Sequence, residues 1–275
     1  MHAAASVAHP PIKGDAVPPE SSAAPSRPPA SPPASPAVRS PGLAEWLALH
    51  GLTVATLAPL LAPQAGPAVE QAASDPPLPN PATPPDVAAR ITRAAPRLAP
   101  VLDLMLARTR FDLDPDRLRF PRAFTLHDDG TGRPFVSCPR DGRAGDLLRL
   151  AHEIGHACQI VACPGAALPP VLRETAAYVA EGLLVAGALA DRDPLAPALA
   201  ARHGADSRVI ATRDAARLRA ALAAVATDPP YSYRWNYPLA RRIALAALAD
   251  WPPADMAALV IAPPPLADLL ARLPP

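Results

Sequence analysis

The chain has little of several things, and each shortage excludes something. It holds 3 Cys, Cys138, Cys158 and Cys163, an odd number without a framework of spacings. That excludes a disulfide-stapled secreted scaffold and suits a reducing compartment, so free thiols and a cytoplasmic location are expected. Charge of one sign is also missing: the formal net charge is +1, and the arginines are scattered among aspartates. A chain of this kind offers no electrostatic footprint for nucleic acid or an anionic membrane, and neither is expected as a partner. Long apolar runs are absent too. The longest near the front, Leu52 to Ala62, is too short for a bilayer and contains Pro59. No basic segment followed by an apolar stretch opens the chain, so no ordinary export signal is expected. Glutamate is scarce, with Glu20, Glu45, Glu70, Glu153, Glu174 and Glu181 as the full set.

Proline is abundant, at 41 of 275 residues. Residues 1–41 are mainly Ala, Pro and Ser and cannot bury enough apolar surface to offset their ordering entropy, which predicts a disordered extension. A docking or non-standard secretion segment is the functional alternative there. Residues 42–85 read as short helices over Gly42 to Ala62 followed by a linker from Pro63 to Pro85. Residues 86–275 then read as one mostly α domain. Its first helix is expected from an Asp86 N-cap to about Arg108, with Pro96 and Pro100 able to split it.

The period changes between Arg122 and Cys138, where two short strand-like runs flank Asp129-Gly130 and predict a β-hairpin. Its second strand, with Phe135, Val136, Ser137 and Cys138, leads through Gly142 into a helix beginning near Ala144. As an edge strand it could align an extended peptide, or it could simply be solvated.

That helix carries His152-Glu153-Ile154-Gly155-His156. Residues four apart share a helix face, so His152 and His156 can each offer an imidazole nitrogen to one metal ion, and Glu153 is placed to take a proton from water. The helix should end near Cys163-Pro164-Gly165, and a second should start after Pro169-Pro170. Three of the six Glu fall between 153 and 181, which surface solubility does not explain. A catalytic zinc takes three protein ligands and keeps one open position. Glu174, far enough beyond His156 for a turn and an antiparallel return, is the expected third ligand. Glu181, two turns further, suits the orientation of a ligand histidine from behind. Cys158 falls on the far side of the helix, and His203 reads as a surface residue. Tyr231, Tyr233 and Tyr237 are three of the chain's 4 Tyr. They can line a peptide cleft and donate to an oxyanion, or fill a core.

Together these segments resemble the thimet oligopeptidase and oligoendopeptidase F type of zinc metallopeptidase. Pro134 to Gln159 is similar to that family's strand, glycine turn and zinc helix, with Gly142 and Asp146 at the family's positions. Glu174-Thr-Ala-Ala-Tyr-Val-Ala-Glu181 is similar to its third-ligand helix, and Tyr231-Ser-Tyr233-Arg-Trp235 to its tyrosine motif. The resemblance implies a gluzincin-type fold, Zn2+ as cofactor, a peptide substrate, and a Tyr233 that donates to the scissile carbonyl. It covers roughly 120–185 and 230–248. The chain is far shorter than family members, its loop between His156 and Glu174 is shorter, and Asp228-Pro-Pro230 stands where the family has a His and Gly-Gly-Tyr. The expected activity is that of a zinc endopeptidase or oligopeptidase. A peptide-binding protein without turnover and a delivered effector protease are the two rivals.

Overall fold

A computed structural model describes residues 41–62, 74–128 and 132–274. The extension expected before residue 41, residues 63–73 of the expected linker and the Asp129-Gly130 turn lie outside the described residues. The described chain is mostly helical with one three-stranded sheet.

Two short helices come first, α1 (Leu43–His50) and α2 (Val54–Leu57). They are not set apart from the later helices. Leu43, Trp46, Leu57 and Leu61 are buried in the same core. The Leu43 N–H donates to the Pro229 carbonyl at 3.0 Å, and the Tyr231 N–H to that of Pro41 at 2.9 Å. The next helix, α3 (Pro84–Ala94), is capped by Thr83 rather than Asp86. The Thr83 hydroxyl accepts from the Asp86 N–H at 3.3 Å and donates to its carboxylate at 2.6 Å, so Asp86 is the third residue inside. Pro96 breaks the helix, and α4 (Ala99–Arg108) resumes it.

The sheet corrects the sequence reading. Besides β2 (Phe124–Asp128) and β3 (Arg133–Ser137), which form the expected antiparallel pair, a strand β1 (Arg110–Asp112) pairs with β3 in parallel. The order is β1-β3-β2, so β3 is the central strand. Val136, Ser137 and Cys138 are fully buried, and none of Phe135 to Cys138 lies on an open edge. That edge belongs to β2. The Cys138 N–H goes to the Asp112 carbonyl at 2.9 Å, and by alternation the backbone of Val136 and Pro134 also faces β1. The backbone polar groups of Thr125 and His127 therefore point outward from β2, opposite Val136 and Pro134 in the register.

Gly142, at φ 71°, turns the chain from β3 into α5 (Gly145–Ala162). Asp146 holds that turn, its Oδ2 accepting from the N–H groups of Asp141, Gly142 and Arg143 at 2.9, 2.8 and 3.2 Å. Next comes α6 (Pro170–Ala190), whose buried face meets α5, α3 and a later helix, α9 (Asn236–Asp250). Small residues let the helices approach: a Cβ on Gly187 would fall 2.0 Å from the Arg90 carbonyl oxygen of α3. Between α6 and α9 run α7 (Ala196–Val209), a π-turn over Ile210–Asp214, and α8 (Ala215–Ala223). Two helices, α10 (Pro253–Ile261) and α11 (Leu266–Ala271), close the fold. No single helix among the described residues is long and apolar enough to cross a membrane.

Candidate metal centre

The site lies where α5 and α6 touch. His152 and His156 stand one turn apart on α5, with ring centroids 4.9 Å apart and planes at 85°. Opposite them, Glu174 on α6 places Oε2 at 3.4 Å from His152 Nε2 and Oε1 at 3.6 Å from His156 Nε2. One donor atom from each of the three lies within 4.8 Å of the other two. Glu174 is only 3% exposed, and its Oε2 has no hydrogen-bond partner among the described residues.

A second carboxylate stands behind the first histidine. Glu181 Oε1 meets His152 Nδ1 at 2.7 Å, which leaves Nε2 of that ring for the triad. The other oxygen of Glu181 accepts from buried Arg241 Nη1 at 2.5 Å. Arg241 also donates to the His203 carbonyl and the Ser207 hydroxyl, both at 2.9 Å, and lies over the Tyr178 ring. His203 is therefore not a surface residue. Its side chain is 12% exposed and lies 4.0 Å from Glu181, and burial, helped by the Arg241 charge, lowers its pKa to about 4.

Glu153 faces β2 and is buried. The Thr125 hydroxyl, on the open strand, lies 2.7 Å from its Oε2. Burial raises the Glu153 pKa, and the nearby carboxylates of Glu174 and Glu181 add to that against the His152 charge and the Thr125 hydrogen bond. Burial pushes Glu174 the same way, but the two imidazoles and Tyr233 outweigh it and hold the pKa at about 2. For His152 burial works against protonation, and the Glu174 and Glu181 carboxylates overcome it, raising the pKa.

The tyrosines are placed unequally. Tyr233, 41% exposed, donates from its hydroxyl to Glu174 Oε1 at 2.7 Å. Tyr237 packs edge-on against both Tyr178 and Tyr233. Tyr231 is further back, its hydroxyl accepting from buried Asn236 Nδ2 at 2.9 Å. Asn236 also donates to the Tyr233 carbonyl at 2.7 Å and accepts from Trp46 Nε1 at 2.8 Å. Helix α1 thus supports the tyrosine loop. The three cysteines are free, and Cys158 is buried away from the triad's donor atoms.

Two imidazoles and one carboxylate are a donor set suited to zinc with a position left open. The charges agree with a dication, since three buried carboxylates, Glu153, Glu174 and Glu181, converge here and buried Arg241 pairs with Glu181 alone among them. Thr125, Arg241 and Asn236 are the site residues that sequence reasoning missed. No protein-family model, curated protein or solved structure matches this chain.

Proposed function

We propose that the protein is a zinc-dependent metallopeptidase of gluzincin type that hydrolyses peptide bonds in oligopeptides or extended protein segments. The observation that carries this reading is the convergence of His152, His156 and Glu174, with buried Glu153 beside the first histidine on α5. Those three residues would hold the ion. Zinc bound there supplies a Lewis acid that polarises a carbonyl and makes water acidic enough to attack it.

The rest is chemistry of the chain's own side chains. Glu153, with a pKa raised by burial and one oxygen held by Thr125, accepts the proton of the attacking water and returns it to the leaving amine. Glu181 fixes the His152 tautomer, and Arg241 fixes Glu181. The outward backbone groups of Thr125 and His127 on β2 pair with an extended peptide, the part first expected of the strand carrying Phe135 to Cys138. Tyr233 and Tyr237 border the open side, with the Tyr233 hydroxyl in reach of charge developing on the carbonyl oxygen.

The test is cleavage of a quenched peptide mixture by the zinc-loaded chain. Turnover that a zinc chelator stops and zinc restores is expected. Zinc binding at one ion per chain with no cleavage would leave the peptide-binding alternative standing in its place.

A further inference from the structure

The cleft differs in charge on the two sides of the triad. On the His152 side its walls carry Asp75, Asp141 and Asp206. The arginines there are already engaged: Arg149 with Asp141 at 2.6 Å, Arg202 with Asp206 at 3.2 Å, and Arg241 with Glu181 at 2.5 Å. On the His156 side, a groove of about 430 Å³ lies between β2 and the turn joining α5 to α6, and no acidic side chain among the described residues lines it. Arg173 does, from the position before Glu174 on α6. It is half-buried and makes no ion pair among the described residues, and His127 of β2 lines the same groove.

A partly desolvated guanidinium with no counter-charge among the described residues is best satisfied by a carboxylate, which can accept two of its N–H groups at once. The direction of β2 says which end of a peptide would bring one. The strand passes from Thr125, beside Glu153, toward His127 in the groove. A peptide added antiparallel, the slightly more stable pairing, runs the opposite way. Residues preceding the scissile bond then lie in the groove. We propose that this groove binds an Asp or Glu side chain on the N-terminal side of the cleaved bond, with Arg173 as the specificity-determining residue. The assignment rests on the peptidase reading.

Quenched peptides identical except for one Asp, Asn or Lys, scanned through the positions preceding the bond, test it on the zinc-loaded full chain. Cleavage sites are read by mass spectrometry. At one position kcat/KM should be about tenfold higher for Asp than for Asn. The ratio should fall to about one in Arg173→Ala and turn toward Lys in Arg173→Glu. Since each ratio is internal to one protein, a loss of folded or loaded protein cancels, and Arg173→Gln replaces any variant that does not fold. Equal cleavage of all three peptides overturns the inference and leaves the peptidase reading intact. Binding of the same peptides to Glu153→Gln, followed by fluorescence anisotropy, separates the two. Charge-selective binding without cleavage by the native chain overturns the peptidase reading, and with it the placement relative to a cleaved bond, and keeps only the contact of Arg173 with an acidic side chain; neither binding nor cleavage overturns both.

Discussion

Gly155, between the two histidines of α5, lies so close to Ala177 of α6 that a Cβ on it would fall 2.6 Å from the Ala177 Cα and 2.8 Å from the Ala176 carbonyl oxygen. Both are backbone atoms and cannot rotate away. The two imidazoles come from one helix and Glu174 from the other, so this contact sets the width of the triad. Gly155→Ala should force the helices apart by about an ångström and cost about 1–3 kcal/mol of stability, the usual range for an overpacked core. Zinc affinity should fall with it. Melting of the metal-free chain and chelator competition measure the two effects, and a variant with native values for both would show that the helices separate freely.

The chain of contacts Arg241 to Glu181 to His152 makes a different prediction, because no hydrogen bond joins Arg241 or Glu181 to the other two members of the triad. Arg241→Gln should weaken zinc binding about 10- to 100-fold, the size found for residues that orient a ligand. Glu174→Ala should lose most of the metal, whereas Glu153→Gln should keep about one zinc per chain and lose turnover. Elemental analysis after dialysis decides the order. Zinc kept in Glu174→Ala but lost in Glu181→Ala would exchange the roles of the two glutamates.

The residues of this site were legible in the sequence to different degrees for physical reasons. His152 and His156 follow from helical spacing, a local property. Glu174 and Glu181 needed only the assumption that a second helix returns along the first, which the proline turn at 169–170 made natural. The sheet was legible in part: the antiparallel β2–β3 pair follows from the sequence, and β1 does not. Arg110-Phe-Asp112 is too short to show an alternating pattern, so the sequence reads β3 as an edge strand, whereas it is central and β2 carries the open edge beside Glu153. Arg241, Asn236 and His203 sit in alanine- and arginine-rich helices where nothing local distinguishes a buried polar residue from a solvated one. Asn236 meets Trp46 across 190 residues and Arg241 meets Glu181 across 60, distances that no local pattern spans.

His203 gives a pH prediction with a defined sign. Its folded pKa of about 4 lies below the ordinary histidine value of 6.5, so the folded chain refuses a proton that the unfolded chain takes up. Its stabilising contribution is complete above about pH 6.5 and is lost as the pH falls toward 4. The full loss is of order 3 kcal/mol. Thermal melting between pH 7.5 and 4.5 should therefore fall more steeply for the native chain than for His203→Gln. Parallel curves would mean that His203 takes up its proton at the same pH in both states.

Tyr233 has two employments open to it, and they separate cleanly. Its hydroxyl donates to Glu174 Oε1 at 2.7 Å, which is an interaction with a member of the triad; its 41% exposure is what an oxyanion donor needs. If the second use dominates, Tyr233→Phe should lower kcat about 100-fold or more with little change in KM or zinc affinity, since the bond forms only as charge builds on the carbonyl oxygen. If the first dominates, the same variant should release zinc more readily while each loaded molecule turns over normally. Tyr231→Phe is the control, because its hydroxyl accepts from Asn236 and lies behind the loop. We expect the kinetic effect for Tyr233 and neither effect for Tyr231. Turnover per bound zinc, measured alongside zinc affinity for both variants, checks this, and an unchanged kcat in Tyr233→Phe would take the residue out of the chemistry.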